Sequence, residues 1–270
     1  MIPIGDSSRS RRTPWVNYAF ILANVLVFLY TLTLSVDIAP DSQQAARDFA
    51  VQRDSVCYGF QARPTDVDYF YCEWSFQPQE WFDHARGEAT TGEGRDWRVL
   101  VTIVTAIFLH AGWIHIGGNM LFLWVFGDNV EDRLGHFAYL VFYLIAGVIA
   151  NLIQGFFDPT NLVPTVGASG AVAGVLGAYI VWFPGATIIA VFPALFFIPL
   201  PIPAFLMIGL WFLQNLLAGY ATLGSAATPD AGVAWFAHIG GFLYGFLVVF
   251  LLLRDVGRRR SAKSARKNLP

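Results

Sequence analysis

Long apolar runs dominate the chain and are separated by short polar or glycine-rich stretches. Five runs, at 16–34, 137–157, 169–183, 202–220 and 233–253, contain no Asp, Glu, Lys or Arg. Four of these runs have 19–21 residues, close to the roughly 20 that an α-helix needs to cross about 30 Å of hydrocarbon, and 169–183 is a shorter run of 15 that is rich in Gly and Ala. The pattern therefore predicts a membrane-spanning helix in each of these places.

A further apolar stretch, 99–126, is interrupted by polar residues and glycines. They are His110, Gly112, His115, Gly117, Gly118 and Asn119. Polar groups at membrane depth are costly and usually face the protein interior. We predict a short second span over 113–126, which ends in a charged cytoplasmic turn at 127–135.

The apolar segment 188–200 contains two prolines, Pro193 and Pro199. Proline removes a backbone donor that lipid cannot replace, so a lipid-facing helix is disfavoured here. We predict a cytoplasmic interfacial hairpin over 186–201 instead. The fold class is then an all-α membrane protein: a six-transmembrane-helix bundle with a large outer loop, 36–98, between helices 1 and 2.

Composition agrees with a membrane protein, since 56% of the residues are hydrophobic and 13% are charged. The N-terminal segment 1–15 and the tail 254–270 are basic, whereas 37–96 is rich in Asp and Glu. By the positive-inside rule both termini are cytoplasmic, the acidic segment lies outside, and the six-span domain occupies 16–253. Attraction to anionic lipid explains the basic tail more simply than nucleic-acid binding does.

The two cysteines, Cys57 and Cys72, both fall in the predicted outer loop. They either form a disulfide, worth roughly 3 kcal/mol by loop-closure arguments, or remain two thiols. Neither has the spacing of a metal site, and the sequence implies no metal and no cofactor. Segments such as 80–85 predict short amphipathic helices within the loop.

Ser169 and His238 stand near the predicted starts of two helices on the outer side. A reacting carbonyl placed at the first N–H groups of a helix meets free donors and the positive end of the helix dipole. Serine needs a base to take its proton, and His238 is the histidine near the start of the last span. Gly241 and Gly245 could pack on Gly170 of the fourth span and bring the two side chains together.

The predicted spans contain no Asp or Glu. A carboxylate that would orient the histidine is therefore missing, so serine chemistry would use a Ser-His dyad. The sequence also lacks an HExxH zinc motif and a pair of membrane aspartates.

Five motifs occur in the order and topology of the rhomboid intramembrane serine proteases, which the chain resembles from about Trp97 to Leu253. They are Trp97-Arg98 with His110; His115-Ile116-Gly117-Gly118-Asn119; the turn with Gly127, Glu131 and Gly135; Gly167-Ala168-Ser169-Gly170; and Ala237-His238-Ile239-Gly240-Gly241. The resemblance implies a protease that cuts within or beside transmembrane segments of other membrane proteins through an acyl-enzyme. Its substrates would enter sideways from the lipid bilayer.

The resemblance also implies roles for individual residues. Ser169 and His238 would be the catalytic dyad, while His115, Asn119 and the backbone N–H of Ser169 would stabilise the oxyanion. Well-known members carry an aromatic residue that stacks on the catalytic histidine where this chain has Ala173, so another group must hold His238. The supporting residues would be Gly167, Gly170, Gly241, Gly245, Trp97 and Arg98.

Other polar and aromatic residues have simpler interpretations. We expect His110 to be structural or to anchor a loop, and Trp211 and Phe212 to line a lateral gate or face lipid. We assign no function to His84 and His136. Interhelical polar contacts are expected for Asn151, Gln154, Gln214 and Asn215.

Two other functions compete with proteolysis: an inactive rhomboid-like protein that binds transmembrane helices without cutting them, and a transporter or channel that uses membrane histidines for protons. Retention of the serine, the histidine and both oxyanion donors argues against the first. The lack of membrane carboxylates and inverted repeats argues against the second. A bacterial inner membrane is the expected location, and the sequence leaves the substrate, the organism and the oligomeric state open.

Overall fold

The chain is described by a computed structural model over residues 1–8, 10–34, 65–87, 97–161, 163–192, 198–223 and 233–267, with the backbone alone at 69, 97 and 255–267. Its helices are α1 (Trp15–Thr31), α2 (Asp66–Trp74), α3 (Pro78–Arg86), α4 (Trp97–Thr105), α5 (Trp113–Leu134), α6 (His136–Phe157), α7 (Ser169–Trp182), α8 (Ala204–Thr222) and α9 (Trp235–Lys267). A 3₁₀ turn follows α4 at Ala106–Phe108. The strands are β1 (Ile2–Asp6), β2 (Thr187–Val191) and β3 (Pro199–Pro203).

Among the described residues, three helices are long and apolar enough to cross a membrane: α6, α8 and the part of α9 from Trp235 to Arg254. The pair formed by Arg98–Phe108 and α5 makes a fourth if it counts as one span, although its axis turns by 77° at the break. Helices α1 and α7 are also apolar but shorter, with 17 and 14 residues. The described part of the chain is thus mostly helical, with three to four candidate spans.

Helix α7 lies at the centre of the bundle because its side chains are small. Residues 170–179 are all buried, and the helix packs most extensively on α9 and also on α5 and α6. A Cβ added to Gly245 of α9 would lie 1.9 Å from the carbonyl oxygen of Gly174 in α7. Glycine at such positions lets two helix backbones approach closely within lipid.

Helix α5 does not end near Phe126, so the predicted second span, 113–126, is too short and the predicted turn, 127–135, is mostly helical. One reason is that Glu131, within this segment, has partners at the start of α1. The carboxylate of Glu131, 1% exposed, accepts from the backbone N–H groups of Val16 at 3.1 Å and Asn17 at 2.7 Å. A buried carboxylate thereby satisfies two free donors at a helix N-terminus.

A buried asparagine joins the first helix to the bundle. Asn17 donates through Nδ2 to the carbonyl oxygen of Leu123 at 3.0 Å and accepts from the Tyr139 hydroxyl at 2.8 Å. These bonds link α1 to α5 and α6. Hydrogen bonds of this kind hold helices together where lipid offers no alternative partner.

The proline-rich region forms a small antiparallel sheet instead of a further helix. Strands β2 and β3 pair with each other, and β1 pairs with the other edge of β2, which gives the order β1-β2-β3. Strand β3 runs to Pro203, two residues beyond the predicted hairpin, and α8 begins at Ala204. The N-terminal segment, predicted only as basic, thus supplies a strand. At the other end, the backbone of α9 stays helical into the basic tail as far as Lys267.

Short helices pack over one end of the bundle within the segment between α1 and α5. Arg98 in α4 forms an ion pair with Glu73 of α2 at 2.9 Å. Helix α4 is fixed to α6 by Asn151, whose Nδ2 donates to the carbonyl oxygen of Ile103 at 2.9 Å. Cys72 is buried in α2, while Cys57 lies outside the described residues.

Candidate active site

Ser169 and His238 meet where the starts of α7 and α9 pack together. The Nε2 atom of His238 lies 2.8 Å from the Oγ atom of Ser169. Ser169 is the first residue of its helix, and His238 belongs to the first turn of α9. A serine hydroxyl at this distance can donate its proton directly to an imidazole nitrogen.

Gly167 shapes the approach to Ser169. Its φ of +127° lies in a region that favours glycine, and its N–H donates to the carbonyl oxygen of Ala106 at 2.9 Å. A Cβ at this position would lie 2.7 Å from Nε2 of His115 and 3.7 Å from Oγ of Ser169. The glycine therefore leaves room for the His115 ring against the loop that leads into Ser169.

His115 and Asn119 lie one turn apart on α5 and therefore share one side of that helix. Asn119 is 8% exposed, and among the described residues its buried Nδ2 atom has no hydrogen-bond partner. A buried amide N–H without a partner is costly in a native protein. Such a donor is available for a ligand that carries an oxygen atom.

His110 lies behind the site. Its Nε2 accepts from the backbone N–H of Ala168 at 3.5 Å, and its carbonyl oxygen accepts from the Tyr71 hydroxyl at 2.5 Å. Its ring is fully buried and packs edge-on against His115, with 5.0 Å between the ring centroids. These contacts fit the structural interpretation of His110, because they tie the loop before Ser169 to the outer helix α2.

Asn215 on α8 is the site residue that the sequence interpretation missed. Its Oδ1 lies 2.7 Å from Nδ1 of His238, and its Nδ2 donates to the carbonyl oxygen of Trp211 at 2.7 Å. The Trp211 ring also lies near His238, with 5.8 Å between centroids. The sequence predicted only an interhelical polar contact for Asn215, because it is a polar residue in an apolar span. Its partner depends on how α8 is rotated about its axis, which the structure shows.

The remaining predicted residues surround the site or lie away from it. Gln154 of α6 accepts from the backbone N–H of Ala237 at 3.2 Å and so fixes the start of α9. Arg98 is paired with Glu73 in the outer helices, and the Trp97 side chain lies outside the described residues. Within the described ranges, no group of three or more His, Cys, Asp or Glu residues could hold a metal ion.

Together these observations define a helical membrane protein with polar residues gathered at the starts of two central helices. The family model described as "Rhomboid domain" matches residues 97–255, which is more than half of the chain. The chain belongs to the rhomboid family, and it is an integral membrane protein.

Curated relatives support this assignment. The chain is 35% identical to "Rhomboid-like protein 11, chloroplastic" of Arabidopsis thaliana over 155 residues, covering 55% of this chain and 51% of that protein. It is 30% identical to "RHOMBOID-like protein 4" of the same plant over 240 residues, covering 89% of this chain and 53% of that protein. "Rhomboid protease GluP" of Bacillus subtilis is 38% identical over 94 residues, covering 35% of this chain and 17% of that protein.

The chain spans about half the length of the first two of these relatives. One relative carries a chloroplast description and another is bacterial, so the comparisons do not support the expected bacterial inner membrane over other membranes.

Proposed function

We propose that this chain is an intramembrane serine endopeptidase that uses Ser169 and His238 as its catalytic dyad. The observation that carries the proposal is the 2.8 Å separation between Oγ of Ser169 and Nε2 of His238. The name of one relative, a rhomboid protease, supports the same reaction class. No cofactor is needed for this chemistry.

The proton and the acyl group move between these two side chains and the substrate. The Ser169 oxygen attacks the peptide carbonyl while its proton passes to Nε2 of His238. The imidazolium then gives the proton to the departing amine, which leaves an ester on Ser169. Water next attacks the ester, loses a proton to His238 and releases the acid, and Ser169 regains its proton.

The oxyanion formed in each step would lie between α5 and the start of α7. The backbone N–H of Ser169, the Nδ2 of Asn119 and the His115 ring are the proposed donors. Support comes from the unpartnered Nδ2 of Asn119 and from the position of the His115 ring beside Gly167. One such donor contributes about 3–4 kcal/mol to transition-state stabilisation.

We propose substrates that are transmembrane segments of other membrane proteins, entering from the surrounding lipid. A helical peptide bond is shielded by its own hydrogen bonds, so a segment with small residues that unwinds easily should be preferred. The test is to reconstitute wild type and Ser169→Ala in lipid vesicles with single-span peptides and to determine product masses. Fragments made by wild type alone support the proposal; bound but uncut peptide with both proteins would identify an inactive helix-binding relative.

We also propose six spans, with α1 and α7 as the shorter ones and both chain termini in the cytoplasm. The outer loop, 36–98, and the starts of α7 and α9 would then share the other side. An impermeant maleimide on intact cells that express a cysteine-free background should label Val163→Cys but not Arg258→Cys. Labelling of both positions would place the C-terminal tail outside and contradict the proposed topology.

A further inference from the structure

His238 has a second polar partner that the proposed dyad does not use. Oδ1 of Asn215 lies 2.7 Å from Nδ1 of His238, on the opposite side of the ring from Ser169. Asn215 is 2% exposed and sits on α8, whereas the dyad sits on α7 and α9. Three helices therefore converge on one imidazole ring.

The orientation of the Asn215 amide follows from its other hydrogen bond. Its Nδ2 lies 2.7 Å from the carbonyl oxygen of Trp211, one turn earlier on α8. A carbonyl oxygen only accepts, so the amide nitrogen must face Trp211 and the amide oxygen must face His238. The reverse orientation would bring two oxygen acceptors together.

This orientation selects one tautomer of the neutral ring. Oδ1 accepts, so Nδ1 of His238 must carry the proton and donate it to Asn215. Nε2 then has a free lone pair that faces the Ser169 hydroxyl 2.8 Å away. Only this tautomer can take the serine proton, and the other would present an N–H to the nucleophile.

We propose that Asn215 is a positioning residue that fixes the reactive tautomer and orientation of His238 and stabilises its imidazolium form. When His238 accepts the serine proton, the bond from Nδ1–H to Oδ1 gains a charged donor and strengthens. A neutral amide can do this in an apolar surrounding without the cost of burying a carboxylate. The Trp211 ring, 5.8 Å from the His238 ring, limits tilting of the imidazole on the same side.

Asn215 and Trp211 thereby supply the support that Ala173 does not. Ala173 is fully buried in α7 and has no ring to place against the histidine. The functional consequence rests on the proposed function, but the tautomer itself is a property of the resting protein. The two can therefore be tested separately.

The first test compares turnover of the reconstituted full chain across pH for wild type, Asn215→Leu and Asn215→Asp. Asn215→Leu should lower kcat about 10- to 100-fold, a loss at or below the lower end of the roughly 10²–10⁴-fold contribution of a general base, with KM little changed. Asn215→Asp keeps an acceptor and should restore most of kcat, while its negative charge moves the acid limb of the profile to higher pH. Gln214→Leu, a neighbouring amide that is exposed on α8, is the matched control and should behave as wild type.

Two outcomes would overturn the proposal. One is an unchanged kcat in Asn215→Leu. The other is an equal loss in Asn215→Leu and Asn215→Asp with an unshifted pH profile, which would indicate a structural role only.

The second test needs no catalysis and no Asn215 variant. ¹⁵N NMR of wild type in lipid nanodiscs, above the acid limb and with His238 assigned by its loss in His238→Gln, should show the proton on Nδ1. A proton on Nε2 would overturn the tautomer assignment even if the enzyme cleaves. Conversely, if wild type cleaves nothing but Nδ1 is protonated, the proposed function fails while the Asn215 contact stands.

Discussion

Gly241 of α9 faces Gly170 of α7 so closely that a Cβ added to Gly241 would lie 2.0 Å from the Gly170 carbonyl oxygen. Ser169 is the neighbour of Gly170, and His238 lies about one turn before Gly241. The distance between the two helix backbones at this glycine contact therefore sets the distance between the serine and the histidine.

Gly241→Ala should disrupt this contact. Its methyl group meets backbone instead of a flexible side chain, so the helices must move apart. We expect destabilisation of about 1–3 kcal/mol, typical of overpacking, together with a large loss of Ser169 reactivity. Thermal unfolding in detergent measures the loss of stability, and the rate at which a fluorophosphonate probe labels Ser169 measures the loss of reactivity.

Gly209→Ala on α8 is the control, since among the described residues nothing lies within 4 Å of a Cβ added there. Alanine favours a helix over glycine by about 1 kcal/mol, so this variant should be at least as stable as wild type and equally reactive. If Gly241→Ala behaves like Gly209→Ala, close helix approach does not set the site geometry.

Asn119→Ala should reduce kcat about 10²–10³-fold, because an oxyanion donor acts on the transition state more than on the bound substrate. KM should change little. The control is Asn151→Ala, which removes a buried amide bonded to the Ile103 carbonyl outside the site. That variant should lose stability but keep the kcat of its folded fraction; an Asn119→Ala enzyme with wild-type kcat would rule out the oxyanion role.

Glu131→Ala should destabilise the protein by about 1–3 kcal/mol, since it leaves the N–H groups of Val16 and Asn17 without their acceptor. Asp132→Ala is its matched control. Asp132 accepts from the backbone N–H of Arg12 at an exposed position, and such surface contacts are worth less than about 1 kcal/mol. Equal unfolding temperatures for the two variants would contradict the capping of α1 by Glu131.

The pH dependence of stability should carry a signal from Asp6 in β1. Burial is the main cause that raises the pKa of its carboxyl to about 6. The hydrogen bond from Tyr179 lowers this pKa, and the nearby Asp128 raises it further. The folded state therefore holds this proton between about pH 4 and 6, where the unfolded chain has already lost it. The resulting stability is fully present below about pH 4 and is lost as the pH rises through 6.

Asp6→Asn cannot ionise and so removes this slope. The unfolding temperature of wild type relative to Asp6→Asn should fall from pH 4 to about pH 6 and then stay level. Parallel curves for the two proteins over this range would show that Asp6 ionises normally in the folded state.

Much of the helical pattern could be predicted from the sequence because apolar runs of membrane length are a strong signal. The positions of α6, α7 and α8 lie within about two residues of the predicted spans. The predicted end of α5 was wrong, because the charged residues at 127–135 indicated a turn where the helix continues. The signal that kept this segment helical, burial of Glu131 against α1, depends on a contact between residues more than a hundred positions apart.

In the site, too, some contacts could be predicted from the sequence and others could not. Ser169 and His238 were paired from their motifs and predicted depth, and the structure brings them within hydrogen-bond distance. Asn215 could be recognised only as an interhelical polar residue, because its partner depends on the rotation of α8 about its axis. Strand β1 was missed for a related reason: five residues give little periodicity, and its partner β2 is far along the chain.

Labelling with a fluorophosphonate probe tests directly whether Ser169 is a nucleophile activated by His238. The purified full chain should be treated with the probe as wild type, Ser169→Ala and His238→Ala, and the modified residue identified by mass spectrometry. We expect one adduct on Ser169 of wild type, none in Ser169→Ala and much slower labelling in His238→Ala. Wild-type labelling no greater than that of Ser169→Ala would contradict this expectation.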